Sequence, residues 1–437
     1  MVEKRTVAFH KPRLDGELRV PGDKSISHRA IMLGSIAKGR TNISGFLEGE
    51  DCLRTLEIFK QLGVSIERSG TDVSIDSPGM AEWKTPADAL YAGNSGTTAR
   101  LMLGILAGSS VESVLTGDEY LSKRPMKRVT VPLLSMGASI AAEGPDSDLL
   151  PLRIKGMASL RAIDYQMPVA SAQVKSAILF AGLQAEGTVT VSEETVSRDH
   201  TERMLQQFGV DLQRDGNSVS LKGGQSLAGT DVLVPGDISS AAFFMVAAAM
   251  IPDSEVVFVD VGLNPTRTGI LDVLEAMGAQ IEYIEEKGQQ GEPYGTVRIS
   301  HAALRGTEIG GDMIPRLIDE LPTLALLATQ AEGRTVIKDA EELRVKETDR
   351  IKAVTTELKK LGASIEETED GMIIEGPTSL TGGTLSSYGD HRLGMMAAIA
   401  ALAASDAITI EDPACIAISY PSFFEDLEKL TGSEDAE

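Results

Sequence analysis

One pattern recurs six times along this chain of 437 residues. A repeat of long period confines a chain to paired or stacked copies of one structural unit. In each copy Gly closes an amphipathic helix and a strand starts at once. The copies are Leu62-Gly63-Val64-Ser65-Ile66, Met136-Gly137-Ala138-Ser139-Ile140, Phe208-Gly209-Val210-Asp211-Leu212, Met277-Gly278-Ala279-Gln280-Ile281 and Leu361-Gly362-Ala363-Ser364-Ile365, with a sixth that stops at Leu430-Thr431-Gly432. The successive glycines lie 74, 72, 69, 84 and 70 residues apart.

Between these helices runs a far more apolar series: Ile26–Ala37, Thr97–Gly108, Val174–Leu183, Ser240–Met250, Leu321–Ala331 and Leu393–Ala403. A helix that is apolar all round is buried, and these are too short to span a bilayer, which takes about 20 residues. Each is followed by a small-residue turn and a β-branched run, such as Gly187-Thr188-Val189-Thr190-Val191. The expected unit is βαβαββ, with one buried and one surface helix, in an α/β fold.

The halves repeat too. Val20-Pro21-Gly22-Asp23 precedes the first buried helix and Val234-Pro235-Gly236-Asp237 the fourth. Pro and Gly punctuate chain direction, so the two tetrapeptides read as paired crossovers between two domains of three units each. Residues 1–20 and 237–437 form the domain holding units four to six. Residues 21–236 form an inserted domain of units one to three, with hinges near 20–23 and 234–237. The sixth unit lacks closing strands, which Thr6–Val20 can supply. The acidic stretch 433–437 is expected to be disordered.

A hydrophobic content of 42% is ample for two cores. Met1-Val2-Glu3-Lys4-Arg5 is followed by no apolar run, so no secretory signal is expected. Cys52 and Cys415 sit in different halves, and two such cysteines make neither a disulfide framework nor a metal pattern. A cytoplasmic enzyme fits. The net charge of −23 argues against nucleic-acid and anionic-membrane partners, so an anion can bind only where basic residues cluster.

Such clusters sit where the buried helices open: Asp23-Lys24-Ser25-Ile26-Ser27-His28-Arg29, Gly93-Asn94-Ser95-Gly96-Thr97-Thr98-Ala99-Arg100, Ala170-Ser171-Ala172-Gln173-Val174-Lys175, Gly236-Asp237-Ile238-Ser239-Ser240, Asp319-Glu320 and Gly389-Asp390-His391-Arg392. Ser, Thr, Asn and Asp there are ordinary N-caps, and for any single unit capping suffices. It does not account for Lys24, Arg29, Lys175 and Arg392, whose charge opposes the helix dipole unless an anion lies between them. Further cations occur in Ser122-Lys123-Arg124-Pro125-Met126-Lys127-Arg128, Ser197-Arg198-Asp199-His200-Thr201-Glu202-Arg203 and Arg344-Val345-Lys346-Glu347-Thr348-Asp349-Arg350. Each alone is as well explained by balanced surface charge. Together they favour a site for multiply charged small molecules.

At the runs Gly22–Arg29, Gly93–Arg100, Arg344–Arg350 and Gly389–Arg392 the sequence closely resembles the 5-enolpyruvylshikimate-3-phosphate synthases, in order and over essentially the whole chain. The resemblance implies the enolpyruvyl-transferase fold, two domains of three repeats each that close over the substrates. It implies transfer of the enolpyruvyl group of phosphoenolpyruvate to the 5-hydroxyl of shikimate-3-phosphate, a step of the shikimate pathway toward aromatic amino acids. It implies no metal or organic cofactor, and a monomer is expected. Gly22-Asp23-Lys24-Ser25, Ser171-Ala172-Gln173-Val174-Lys175, Arg198-Asp199-His200-Thr201-Glu202 and Asn264-Pro265-Thr266-Arg267 resemble the signatures of its class II branch, some of whose members tolerate glyphosate.

By the same resemblance Lys24, Gly96, Arg124, Gln173, Arg350 and Arg392 surround phosphoenolpyruvate. Lys24, Ser25, Arg29, Ser171, Gln173, Arg198, Asp319 and Lys346 hold shikimate-3-phosphate. Arginine suits phosphate and carboxylate by bidentate pairing, and Gly96 lets a ligand approach the backbone. Asp319 and Glu347 are the candidates for proton transfer, with Lys24 sharing in it. His28, His200 and His391 read as structural. Some relatives carry a Lys in the Cys415–Pro421 region, where this chain has Ile418. Two other functions compete. The sister enzyme that acts on a UDP-amino sugar is known by a loop cysteine, and Thr116–Arg128 holds none. A polyanion-binding scaffold would not need Gln173, Asp319 and Glu347 at helix openings.

Overall fold

The computed structural model describes residues 3–146, 148–157, 159–288 and 291–432; the expected tail over 433–437 lies outside them. The fold is mixed α/β, and its four-stranded sheets share one order. The second copy shows it in full: strand Leu90–Tyr91, buried helix Gly96–Ala107, strand Glu112–Thr116, surface helix Lys127–Ser135 and hairpin Ser139–Ala142/Leu152–Lys155. The first strand pairs parallel with the second, the second antiparallel with the fourth, and the fourth antiparallel with the third. The sheets built around Thr188–Ser192 and Gly333–Ile337 have the same order.

Two copies exchange their first strands. Asp15–Leu18 runs through Val20–Asp23 into the first buried helix, Lys24–Ile36, yet pairs parallel with Glu255–Gly262, the strand after the fourth buried helix. Asp231–Leu233 runs through Val234–Asp237 into the fourth buried helix, Ile238–Met250, yet pairs parallel with Gly39–Ser44, the strand after the first. The expectation that Thr6–Val20 completes the sixth copy is therefore corrected. Lys4–Val7 does so, pairing antiparallel with Ile408–Glu411, whereas Asp15–Leu18 completes the fourth. A β-branched stretch states that it is a strand and does not state its partner.

The six recurring glycines all have positive φ, +90, +89, +91, +96, +90 and +63° in chain order. In the first five the next residue's N–H reaches back to a carbonyl five residues earlier, as from Val64 to Phe59 and from Ala363 to Leu358. This is the Schellman closure, whose left-handed residue is free of strain only as Gly.

The chain divides into two compact units. One holds the described residues up to Pro21, Pro235–Gly288 and those from Pro293 onward; the other holds Gly22–Val234, to which Glu292 also belongs. Each has its own apolar core wrapped on three buried helices. Every residue of Ile238–Met250 is buried. Close approach uses glycine: a Cβ at Gly104 would lie 2.1 Å from the carbonyl oxygen of Ala177 in the neighbouring buried helix.

Candidate active site

Five of the six buried helices are capped by the side chain that precedes them. Asp23, Ser95, Ser171, Asp237 and Asp390 accept from the backbone N–H of Ile26, Thr98, Val174, Ser239 and Arg392. The helices thus begin about two residues before their apolar runs and place charged and hydroxyl side chains in the first turn. The fifth, Leu321–Ala328, has no side-chain cap, so Asp319 and Glu320 serve something else.

In the Gly22–Val234 unit the openings of the first three buried helices carry Lys24, Ser25, Arg29, Gly96, Ser171 and Gln173. Lys24 lies 3.3 Å from Asp51 of the surface helix Glu50–Gln61. Gln173 bridges two helices, accepting from Arg100 at 2.7 Å and donating to Thr97 at 3.1 Å. Arg124 and Arg100 face Gly96, since a Cβ there would be 3.7 and 3.1 Å from their Nη1 atoms. Arg124 is half-buried while Lys123, Lys127 and Arg128 beside it are exposed. For those three the surface-charge reading holds, with Lys123 near Glu119 and Lys127 near Asp148.

Arg29 is buried and donates to Thr201 at 2.6 Å, Ser176 at 2.9 Å and the Ser25 carbonyl at 3.0 Å. Burial lowers its pKa to about 10; Glu202, Asp23 and Glu292 oppose that shift and half-buried Arg198 adds to it. Lys175 corrects an expectation. It does not await an anion, because its ammonium is 2.6 Å from Glu193 and 2.8 Å from Glu202, all three side chains being buried. Burial opposes its charge, but the two carboxylates outweigh this and hold its pKa above the ordinary value.

The histidines of this unit lie inside the protein. Burial drives His28 to a pKa of about 3, with Asp51 opposing and Lys24 and Arg29 reinforcing. The neutral ring joins a chain of hydroxyls through Thr55 and Thr98 to Ser95, the cap of the helix that carries Gly96. His200 is 2.7 Å from Glu292.

In the other unit Asp319 lies among three cations: Arg350 at 3.1 Å, Arg392 at 3.8 Å and Lys346 at 3.9 Å. Arg350 opens the surface helix Arg350–Lys360 and is itself caged, bonding Glu347 at 2.7 Å and the cap Asp390 at 2.8 Å. Burial works against its charge, yet Asp390, Glu347 and Asp319 more than compensate and raise its pKa above the ordinary value. Below this layer Ser239 donates to Glu320, and Arg267 donates to Ser239 at 2.5 Å and to Asp237 at 3.2 Å. Arg344 is turned away, paired with Asp349 and Glu367. Ile418 packs against the apolar core.

The structure therefore gathers Lys24, Ser25, Arg29, Gly96, Arg124, Ser171, Gln173 and Arg198 on one unit, and Asp319, Lys346, Glu347, Arg350 and Arg392 on the other. Sequence reasoning missed Asp51, Glu193 and Glu320 as partners, and gave Arg100 and Thr201 no role of their own. Arg100, one turn after Gly96, and Glu320 and Thr201, each inside a motif quoted above, carried local signals; Asp51 and Glu193 carried none. Among the described residues no cluster of His, Cys, Asp and Glu is arranged to hold a metal ion, and no helix is long and apolar enough to cross a membrane.

Helix openings dressed with Lys and Arg on one unit, and an acid among cations on the other, suit an enzyme for small polyanions. Residues 10–427 match the family model described as EPSP synthase (3-phosphoshikimate 1-carboxyvinyltransferase), and the chain belongs to that family. It is 59% identical to the 3-phosphoshikimate 1-carboxyvinyltransferase of Bacillus licheniformis, over 95% of this chain and 97% of that one. It is 57% identical to that of Bacillus subtilis, over 96% and 97%. The solved EPSP synthase of Acinetobacter baumannii superposes with a TM-score of 0.91 at 46% identity, covering 99% of this chain and all of the other. The enolpyruvyl transferase NikO of Streptomyces tendae, at 19% identity and a TM-score of 0.80 over 99% of this chain and 98% of its own, shares the fold.

Proposed function

We infer that the protein transfers the enolpyruvyl group of phosphoenolpyruvate to the 5-hydroxyl of shikimate-3-phosphate and releases phosphate, a step of aromatic amino acid biosynthesis. The observation that carries this reading is Asp319, a carboxylate beside Arg350, Arg392 and Lys346. In the addition step the hydroxyl oxygen bonds to C2 of phosphoenolpyruvate, its proton goes to a carboxylate, and C3 receives a proton. In the elimination step C3 gives that proton back and the C2–O bond to phosphate breaks. Asp319 takes the hydroxyl proton. Glu347, at the more exposed edge and bonded to Arg350, serves C3, with Lys24 sharing in the exchange. Lys24, Arg124, Arg350 and Arg392 bind the phosphate and carboxylate of phosphoenolpyruvate and stabilise the charge that develops at the transition state, with Gly96 and Gln173 completing that subsite. Ser25, Arg29, Ser171, Arg198 and Lys346, with Lys24, Gln173 and Asp319, hold shikimate-3-phosphate. The protein works as a cytoplasmic monomer. Support for the class II type comes from Lys175 and Glu202, residues of two signatures that are each other's buried partners.

The deciding experiment is phosphate release from phosphoenolpyruvate with shikimate-3-phosphate, with a UDP-amino sugar, and with no acceptor. Release with the first alone is expected. Release with the sugar nucleotide alone, or with neither, defeats the assignment.

Gly96 sets a sharper test of the phosphoenolpyruvate subsite. The Cβ of Gly96→Ala meets only the end of Arg100 at 3.1 Å, and the backbone there is not left-handed, so folding survives. The guanidinium group of Arg100 must shift by a few tenths of an ångström, whereas Arg124 at 3.7 Å is left in ordinary contact. The KM for phosphoenolpyruvate should rise about tenfold. Glyphosate, an inhibitor expected to occupy this same subsite and larger than the substrate, should lose more, so the partial tolerance expected of a class II chain should rise further. Equal inhibition of both proteins in competition against phosphoenolpyruvate removes Gly96 from the subsite.

A further inference from the structure

Lys175 raises a question that capping and substrate binding leave open. A buried ion pair is poor evidence for stability, because desolvation consumes most of the Coulombic gain and apolar replacements often do as well. Here three charges are buried together, so the reason for them lies in the geometry they impose.

Glu193 directly follows the strand Thr188–Ser192, and besides Lys175 it accepts from the backbone N–H of Ser197 at 3.2 Å and from the Ser197 hydroxyl. Lys175 also donates to the Ser197 carbonyl at 3.3 Å. The stretch Glu194-Thr195-Val196 is partly or fully exposed, while both its ends are held by this closure. Arg198 directly follows Ser197. On the other side Glu202 shares the helix His200–Gln207 with Thr201, whose hydroxyl accepts from Arg29 Nε at 2.6 Å. Ser176, adjacent to Lys175, lies 2.6 Å from the same hydroxyl and accepts from Arg29 Nη2 at 2.9 Å. Lys175 is thus tied by one carboxylate to the loop that delivers Arg198 and by the other to the helix that orients Arg29.

We propose that Lys175, with Glu193 and Glu202, is a positioning device that sets Arg198 and Arg29 in place and so fixes the affinity for the phosphorylated acceptor, shikimate-3-phosphate. This rests on the subsite assignment above. It requires that loosening the closure weaken one substrate and spare the other. A clamp needed only for folding would instead lower stability and leave the folded protein's affinities alone.

The test is calorimetric titration of shikimate-3-phosphate into the full chain, wild type and Glu193→Gln, with thermal midpoints and both KM values measured alongside. The amide keeps the volume and one acceptor and removes the charge. The dissociation constant for shikimate-3-phosphate should rise about 10- to 100-fold, the scale for ångström-level misplacement of binding groups. The KM for phosphoenolpyruvate at saturating acceptor should stay within about threefold of wild type by the same reasoning. If the midpoint falls while the dissociation constant holds, the triad is structural only and the proposal is overturned. Should Glu193→Gln not fold, Ser197→Ala removes only the hydroxyl that reaches Glu193; weaker acceptor binding supports the clamp and unchanged binding refutes it. Wild-type protein that fails to bind shikimate-3-phosphate removes the reading beneath the proposal. Wild-type binding matched by an equally tight variant removes the clamp alone.

Discussion

Lys24→Met is expected to fold normally and to lose about three orders of magnitude in kcat/KM, the scale for removing a preorganised charge that acts at the transition state. Lys24 occupies the first turn of the helix Lys24–Ile36, 3.3 Å from the half-buried Asp51. A partly exposed pair of this kind contributes at most about 1 kcal/mol, so the melting temperature should barely move. Methionine keeps the length of the stem and removes the charge, which leaves Asp51 facing the substrates as an uncompensated anion. Binding of both anionic substrates should therefore weaken as turnover falls. The measurement is steady-state phosphate release beside circular dichroism. Near-normal turnover in a folded variant would take Lys24 out of the chemistry.

Asp319→Asn should give a different signature. The amide fills the same space but can neither accept a proton as a base nor balance Arg350, Arg392 and Lys346, which stand 3.1, 3.8 and 3.9 Å from the carboxylate. kcat should fall about 10²- to 10⁴-fold, the range for losing a general base. Removing a negative charge from among three cations strengthens their attraction for an anion, so phosphoenolpyruvate should bind as tightly as before or more tightly. That combination of lost turnover and retained affinity separates a proton-transfer role from a positioning one. A variant whose kcat stays within threefold while its KM values rise would show that Asp319 only holds substrate, and would hand the hydroxyl proton to Glu347 or Lys24.

The parts of this protein that could be read from its residues are those set by local physics. Gly63 and its five counterparts close helices because a left-handed residue without a Cβ is needed there, and that need is written at one position. Asp23, Ser95, Ser171, Asp237 and Asp390 cap helices because their side chains reach N–H groups two or three residues on. Six such units, repeated at a near-constant spacing, give the βαβαββ plan. The cations in the opening turns follow in the same way, since their position relative to a cap is a matter of sequence distance.

Tertiary structure decided which of those groups are neighbours. Asp15–Leu18 and Asp231–Leu233 have strand character wherever they pair, and only the packed sheets sent each to the other's copy. Lys175 and Arg392 look alike as cations in the first turns of buried helices. One is buried between Glu193 and Glu202, 18 and 27 residues away, and the other stands beside Asp319, 73 residues away. Arg350 reads as a surface cation in a charged run, yet it is buried against Asp390, 40 residues on. Charge is a property of the residue; what the charge faces, and hence whether it binds substrate, orients another cation or closes a loop, depends on contacts between segments that only the folded chain brings together.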